Sequence, residues 1–214
     1  MNLDLREPTV VIAGAFNPAI FDVGWIASEL FEYADGAPVN ATLVADMARQ
    51  TQRAYVDKIG IMAEAFRLSI FVDDLEPETI ALAEKAVLRT ASGLPHTPVA
   101  GLGINFKIAV PQPDAAIVDL LKLLDKPEQM GPVVQNEISS RIQIEDAVRL
   151  NFSRTILEDS LILGFNYHTD LVRLSEMTDT FEGKIRHWLD YSVAMIEQLY
   201  SLKEPLEITK ALNN

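Results

Sequence analysis

Alternation of apolar and polar residues in short segments is the feature that most limits what this chain can fold into. The clearest case is residues 99–110, where the apolar side chains fall on one face and the other face carries Gly101, Gly103, Asn105 and Lys107. A period of two residues is typical of a β-strand with one buried face. The sequence therefore predicts a sheet with an apolar side and a polar side.

Similar segments elsewhere predict further strands. They cover residues 9–16, about 52–56, 59–64, 66–72, 142–144, 148–156 and 161–169. Apolar residues at helical spacing predict helices after Asp22, from Pro77 to Gly93, from Pro113 onward and from Asp179 to about Tyr200. Residues 40–56 fit both periods, and we favour a strand from about Gln52 onward. The polar, Pro- and Gly-containing segment 125–132 is the one plausible internal boundary.

The order of these elements predicts the fold class. Strands that come mostly in hairpins indicate an α+β protein with a largely antiparallel sheet and helices on one face. The first part has the β-α-β-β-α-β order of a ferredoxin-like unit, followed by a helix, a strand meander and a C-terminal helix. We expect a single domain, 1–214, with possible structural halves at 1–112 and 113–214.

Composition and charge exclude several classes of protein. The 18 Lys and Arg against 31 Asp and Glu give a net charge of −13, which disfavours nucleic acid and membrane surfaces as partners. The absence of Cys excludes disulfides, a thiol nucleophile and thiolate metal ligands. No apolar stretch approaches the ~20 residues of a membrane span, and the N-terminus does not resemble a signal peptide. We therefore expect a cytoplasmic protein.

A short pattern occurs twice in predicted strands. Gly103-Ile104-Asn105-Phe106 and Gly164-Phe165-Asn166-Tyr167 share glycine, an apolar residue, asparagine and an aromatic residue, 61 positions apart. Either an internal duplication or equivalent strand environments would produce this match.

A longer series of strands resembles a sporadically distributed, uncharacterised family of prokaryotic proteins. The resemblance is carried by Gln52-Arg53-Ala54-Tyr55-Val56, Ile59-Gly60-Ile61-Met62 and Phe66-Arg67-Leu68-Ser69-Ile70. It extends to an opening strand at 8–15, a strand at 101–108 and an amphipathic closing helix at 188–200. The family has no assigned activity, so the resemblance implies a fold and a cytoplasmic prokaryotic setting, and it transfers no functional residues.

The polar side of the predicted sheet offers one candidate binding site. Strand parity places amides, two cations and an imidazole on that side: Asn105, Lys107, Arg149, Asn151, Asn166 and His168. Such groups could bind a carboxylate or a phosphate. The alternative is a solvated outer face, which antiparallel sheets commonly have.

Other candidate sites are weaker. His168 and Asp170 could share a face and donate two metal ligands, but no third ligand is identifiable. Gly101-x-Gly103 lies within a strand and lacks the third glycine of a dinucleotide fingerprint. Asp73-Asp74 before Pro77 is better explained by the start of a helix. The sequence therefore predicts no catalytic residue, no metal and no cofactor.

These observations favour a non-enzymatic interaction or regulatory protein. The alternative is a small-molecule binding protein or enzyme that uses the polar sheet face for an anion or carboxylate. We expect a homo-oligomer, with a two-fold dimer as the commonest closed assembly, because Phe71, Ile162 and the glycines add apolar or flat surface to a face with few helices. A different protein partner is the other possibility.

Overall fold

The computed structural model describes residues 2–34, 41–46, 51–56, 58–111, 113, 115–121, 135–157, 160–178, 181–200 and 207–210. Over these residues the chain is an α+β protein with a large antiparallel sheet and few helices, which confirms the predicted class. None of the described helices is long and apolar enough to cross a bilayer.

Ten strands and four α-helices make up the described structure. The strands are β1 (Asn2–Gly14), β2 (Ala41–Asp46), β3 (Thr51–Val56), β4 (Ile59–Glu64), β5 (Arg67–Val72), β6 (Val99–Pro111), β7 (Asn136–Glu145), β8 (Val148–Leu157), β9 (Ser160–Asp170) and β10 (Glu207–Lys210). The helices are α1 (Val23–Trp25), α2 (Pro77–Gly93), α3 (Ala115–Leu120) and α4 (Lys184–Tyr200). Short 3-10 helices cover Pro18–Ile20 and Leu174–Met177.

Hydrogen bonds connect the strands into one open sheet. Nine strands follow the order β2-β3-β4-β5-β1-β6-β9-β8-β7, and β10 pairs in parallel with β1. Contacts group the chain into two compact units. One unit contains residues 1–7, 105–167 and 189–214, and the other contains 8–104 and 168–188.

Three strands differ in extent from the sequence-based expectation, and a fourth, β10, was not expected. The ambiguous region before residue 52 contains β2, which pairs with β3 from Ala41 opposite Val56 to Asp46 opposite Thr51. β1 begins at Asn2, and β7 extends over Asn136–Glu145. Pairing with a neighbouring strand can extend a strand through polar residues, which a search for apolar alternation does not detect. The predicted boundary at 125–132 lies outside the described residues.

The helix expected after Asp22 forms, but it is short and changes its winding. Asp22 Oδ1 accepts a hydrogen bond from the Trp25 backbone N at 2.9 Å, which confirms Asp22 as the N-cap. The chain continues as a π-helical segment over Ile26–Leu30, and Glu32 then adopts a left-handed conformation with φ of 58°. A side-chain pattern with helical spacing cannot distinguish these two windings.

Acidic residues precede α2 as predicted. Asp74 makes specific hydrogen bonds and an ion pair there, in addition to any general interaction with the helix dipole. Asp74 Oδ1 accepts a hydrogen bond from the Glu76 backbone N at 3.1 Å, and its other oxygen pairs with Lys58 Nζ at 2.7 Å. Burial pushes the pKa of Asp74 upward, but hydrogen bonds from Lys58, Thr79 and the Glu76 backbone outweigh burial and leave that pKa lowered. Asp74 is therefore a structural carboxylate.

A distant carboxylate caps the start of α4. Glu84 on α2 is buried, and its two oxygens accept hydrogen bonds from the backbone N of Gly183 and of Ile185, each at 2.8 Å. These backbone groups have no partner within a helix, and a carboxylate there also complements the helix dipole. The sequence predicts that this helix begins at Asp179, which lies outside the described residues.

Helical spacing predicts that α4 buries Ile185, Trp188, Leu189, Ile196 and Leu199, and the structure buries all of them except Leu199. Trp188, Leu189 and Ile196 are at most 3% exposed, whereas Leu199 on the same helix is 50% exposed.

Replacing Leu189 by Ala should lower the free energy of unfolding by about 2–5 kcal/mol, because it removes buried methyl groups and leaves a cavity. Leu199→Ala is the matched control, and it should cost less than about 1 kcal/mol since Leu199 keeps much of its surface in water. Urea unfolding of both variants measures the difference. Equal losses in the two variants would contradict the orientation of α4.

Candidate functional site

A concavity of about 620 Å³ lies over strands β6, β7, β8 and β9, within the unit that contains residues 105–167. We call it the polar concavity. Its polar lining residues are Asn105, Lys107, Glu137, Ser139, Ser140, Arg141, Asn151, Ser153 and Asn166. Its volume falls in the range of about 300–1,000 Å³ that is typical of small-molecule sites.

One row of side chains crosses all four strands in this concavity. Arg141 Nε donates to Asn151 Oδ1 at 3.1 Å, and Asn151 Nδ2 donates to Asn166 Oδ1 at 2.7 Å. Asn166 Nδ2 in turn donates to Asn105 Oδ1 at 2.5 Å. We call these four residues the amide ladder. The two asparagines of the repeated sequence pattern, Asn105 and Asn166, are therefore direct hydrogen-bond partners.

Arg141 determines the direction of every amide in the ladder. A guanidinium group only donates hydrogen bonds, so Asn151 must turn its oxygen toward Arg141 and its nitrogen toward Asn166. The same reasoning then orients Asn166 toward Asn105. Each donor in such a chain polarises the next, so the ladder transmits the effect of the arginine charge across the sheet.

Strand register explains why these residues meet. Arg141 and Asn151 are directly opposed in the β7–β8 pair. On β8 and β9 each asparagine is next to a buried phenylalanine, since Phe152 follows Asn151 and Phe165 precedes Asn166. Phe106 follows Asn105 on β6 in the same way. Because neighbouring residues in a strand point to opposite faces, burying the three phenylalanines places all three amides on the other side.

The neighbouring row of the concavity has short side chains. Ser139 opposes Ser153 in the β7–β8 pair, and Gly164 lies against Ser153. A Cβ atom added at Gly164 would collide with Ser153 Oγ. Position 164 therefore requires glycine, because the Ser153 side chain lies so close to its backbone. The serine hydroxyls provide hydrogen-bonding groups beside the amide ladder.

The charge of the concavity is opposite in sign to that of the chain. Among the described residues, Lys107 and Arg141 are the lining cations and Glu137 is the one lining carboxylate, whereas the whole chain has a net charge of −13. Glu137 accepts a hydrogen bond from Ser139 Oγ at 3.1 Å. The concavity is therefore a locally basic, donor-rich surface on an acidic protein.

The structure brings together four of the six residues that strand parity selected. Asn105, Lys107, Asn151 and Asn166 all line the polar concavity. Arg149 is opposed to Gln143 in the β7–β8 pair and is not a lining residue.

His168 is also not a lining residue of the polar concavity. Its Nε2 is 2.9 Å from Asp170 Oδ1, so the two residues considered as metal ligands bond to each other. A Cβ added at Gly101 would lie 2.7 Å from His168 Cε1, so this glycine makes room for the imidazole. Across the described part of the chain, no three His, Asp or Glu side chains are grouped to hold a metal ion.

Sequence reasoning missed Arg141, Ser139 and Ser153. The strand predicted at 142–144 was too short to include Arg141 or Ser139. Alternation of the isoleucines at 138, 142 and 144 with Glu137, Ser139 and Arg141 is the signal that could have identified them. In the structure β7 alternates between half-buried and exposed residues over its whole length.

A buried hydroxyl pair lies on the opposite side of β9. Tyr167 Oη and Ser192 Oγ are 2.7 Å apart, and both residues are fully buried. Burial raises the pKa of Tyr167 well above its usual range, although the hydrogen bond with Ser192 opposes this effect. The tyrosine therefore remains neutral and joins α4 to the sheet strand that carries Asn166.

No protein-family model, curated protein or solved structure matches the chain.

A double-mutant cycle tests whether the amide ladder acts as one network. Asn151→Ala, Asn166→Ala and the double variant should show a coupling energy of about 0.5–3 kcal/mol, because either single change leaves the other amide with an unmet hydrogen bond. Urea unfolding of the wild type and the three variants gives this energy. Losses that add to within about 0.3 kcal/mol would show that the two amides are independent.

Proposed function

We propose that this protein binds a small carboxylate-bearing molecule in the polar concavity. The observation that carries the proposal is the amide ladder, fixed by Arg141 and flanked by Lys107 and two serine hydroxyls in one concave surface. The proposal adopts the alternative function considered from the sequence. Binding without chemistry also fits the first expectation, a non-enzymatic interaction or regulatory protein.

The donor chemistry favours an anion over a cation. Lys107 and Arg141 are cations, and charge-assisted hydrogen bonds to a carboxylate are stronger than those between neutral groups. The Ser153 hydroxyl can donate to a second ligand oxygen, whereas the Ser139 hydroxyl already donates to Glu137. Ordered side chains also reduce the entropy that binding must otherwise remove, so hydrogen bonding within the amide ladder favours affinity.

Titration with succinate tests the proposal. We expect saturable changes in the side-chain NH₂ resonances of Asn105, Asn151 and Asn166, with a dissociation constant of about 1 mM or lower. Lys107→Met should weaken binding about tenfold or more, because it removes a charge-assisted hydrogen bond of about 1.5–3 kcal/mol. Citrate provides a second carboxylate probe of larger size.

The matched control is Lys184→Met, because Lys184 lies over the Trp188 ring in the other unit. This control should bind succinate as the wild type does. If neither succinate nor citrate causes saturable changes in the amide resonances, the proposed function is contradicted. If the two lysine variants weaken succinate binding equally, Lys107 is not part of the site.

We further propose that the second unit contains the ferredoxin-like arrangement expected from the sequence, with the β2–β3 hairpin inserted after its first helix. Two pairings support this. β1 and β4 are both antiparallel to β5, which lies between them, so the connection from β1 through α1 to β4 has the form of a split β-α-β unit.

A further inference from the structure

Strand β7 is a long exposed edge. It is the last strand at one side of the sheet, and within the described ranges it pairs only with β8. No residue from Asn136 to Glu145 is fully buried. A long edge strand presents unpaired backbone N–H and C=O groups, which form a template for pairing with another strand.

The apolar side of β7 is also incompletely covered. Ile138, Ile142 and Ile144 alternate with the polar residues of the strand, and all three are only half-buried. Phe71 and Ile162, the residues first expected to promote association, are likewise half-buried. β7 combines partly exposed apolar side chains with an open backbone edge.

We infer that a second copy of this chain pairs with β7 in an antiparallel manner, across a two-fold axis at Ser139. This register sets Glu137 opposite the partner's Arg141, and Arg141 opposite the partner's Glu137. Oppositely charged residues that face each other across antiparallel strands are stabilising. A two-fold interface uses the same patch on both copies, so each ion pair occurs twice.

Charge or strand length disfavours the registers centred on Arg141 and on Gln143. An axis at Arg141 would place that residue opposite its own copy and Glu137 opposite the partner's Glu145, and both juxtapositions are repulsive. An axis at Gln143 would set Arg141 opposite the partner's Glu145, but β7 ends at Glu145, so only 141–145 could pair. The axis at Ser139 allows pairing from Asn136 to Ile142.

The inferred dimer completes the rim of the polar concavity. Glu137, Ser139 and Arg141 line that concavity from β7. Pairing through β7 would bring the partner's Glu137 to the same rim, so the concavities of the two copies would meet at the axis. The net charge of −13 on each copy opposes association, but at physiological salt the Debye length of about 8 Å screens distant charges.

Light scattering combined with size-exclusion chromatography tests this inference. At about 10 µM wild-type protein the mass should be twice the 23.7 kDa of one chain. This result is expected if the dissociation constant of the dimer is about 1 µM or lower. Glu137→Arg and Arg141→Glu should each raise the dissociation constant about tenfold or more, because each opposes like charges across the axis. Circular dichroism verifies that both variants are folded.

Mixing the two variants provides the decisive control. Glu137→Arg makes the strand more basic and Arg141→Glu makes it more acidic, so the mixture should recover the dimer mass that neither variant has alone. Glu145→Arg should leave the dimer intact. Lys107→Met should also leave it intact, which separates this inference from the proposed carboxylate binding.

Three outcomes would overturn the inference. The first is a monomeric mass for wild-type protein at about 100 µM, a concentration well above the dissociation constants of typical specific dimers. The second is a dimer that Glu137→Arg does not weaken. The third is dissociation by Glu145→Arg, which would indicate the register centred on Gln143.

Discussion

The side-chain period of two residues in β6, β8 and β9 is the constraint on which the structure around the polar concavity depends. In these strands an asparagine lies next to a buried phenylalanine, so the core fixes one face and the amide ladder occupies the other. A register slip of one residue would exchange the two faces. Burial of the Phe106, Phe152 and Phe165 side chains therefore stabilises the arrangement of the amides from the opposite face of the sheet.

Arg141 adds direction to this arrangement. Three amides in a row could in principle point either way, but a guanidinium group at one end permits only one orientation. The same residue lies on the open edge strand β7. One side chain thus orients the candidate binding site and, in the inferred dimer, selects the strand register. One of the two positive charges that would attract a carboxylate, that of Arg141, therefore lies on the strand edge that would attract a second copy.

Fold class and much of the site could be predicted from the sequence because both depend on local alternation. The strand at 99–110 and the face that carries Asn105 and Lys107 followed directly from that period. The sequence did not predict Arg141 as a site residue, because the apolar side of β7 carries only three isoleucines and the polar Ser140 lies between them. Glu84 could not have been predicted as the cap of α4, because it lies 99 positions before Gly183 and only tertiary packing brings them together.

Neutron diffraction from a deuterated crystal tests the central claim most directly, since it locates the deuterium atoms of each side-chain amide. We expect the Asn151 amide nitrogen to direct a deuterium atom toward Asn166 Oδ1, and the Asn166 nitrogen to direct one toward Asn105 Oδ1. Reversal of either amide, or an Asn151 oxygen that does not accept from Arg141, would contradict the ladder and the site built on it.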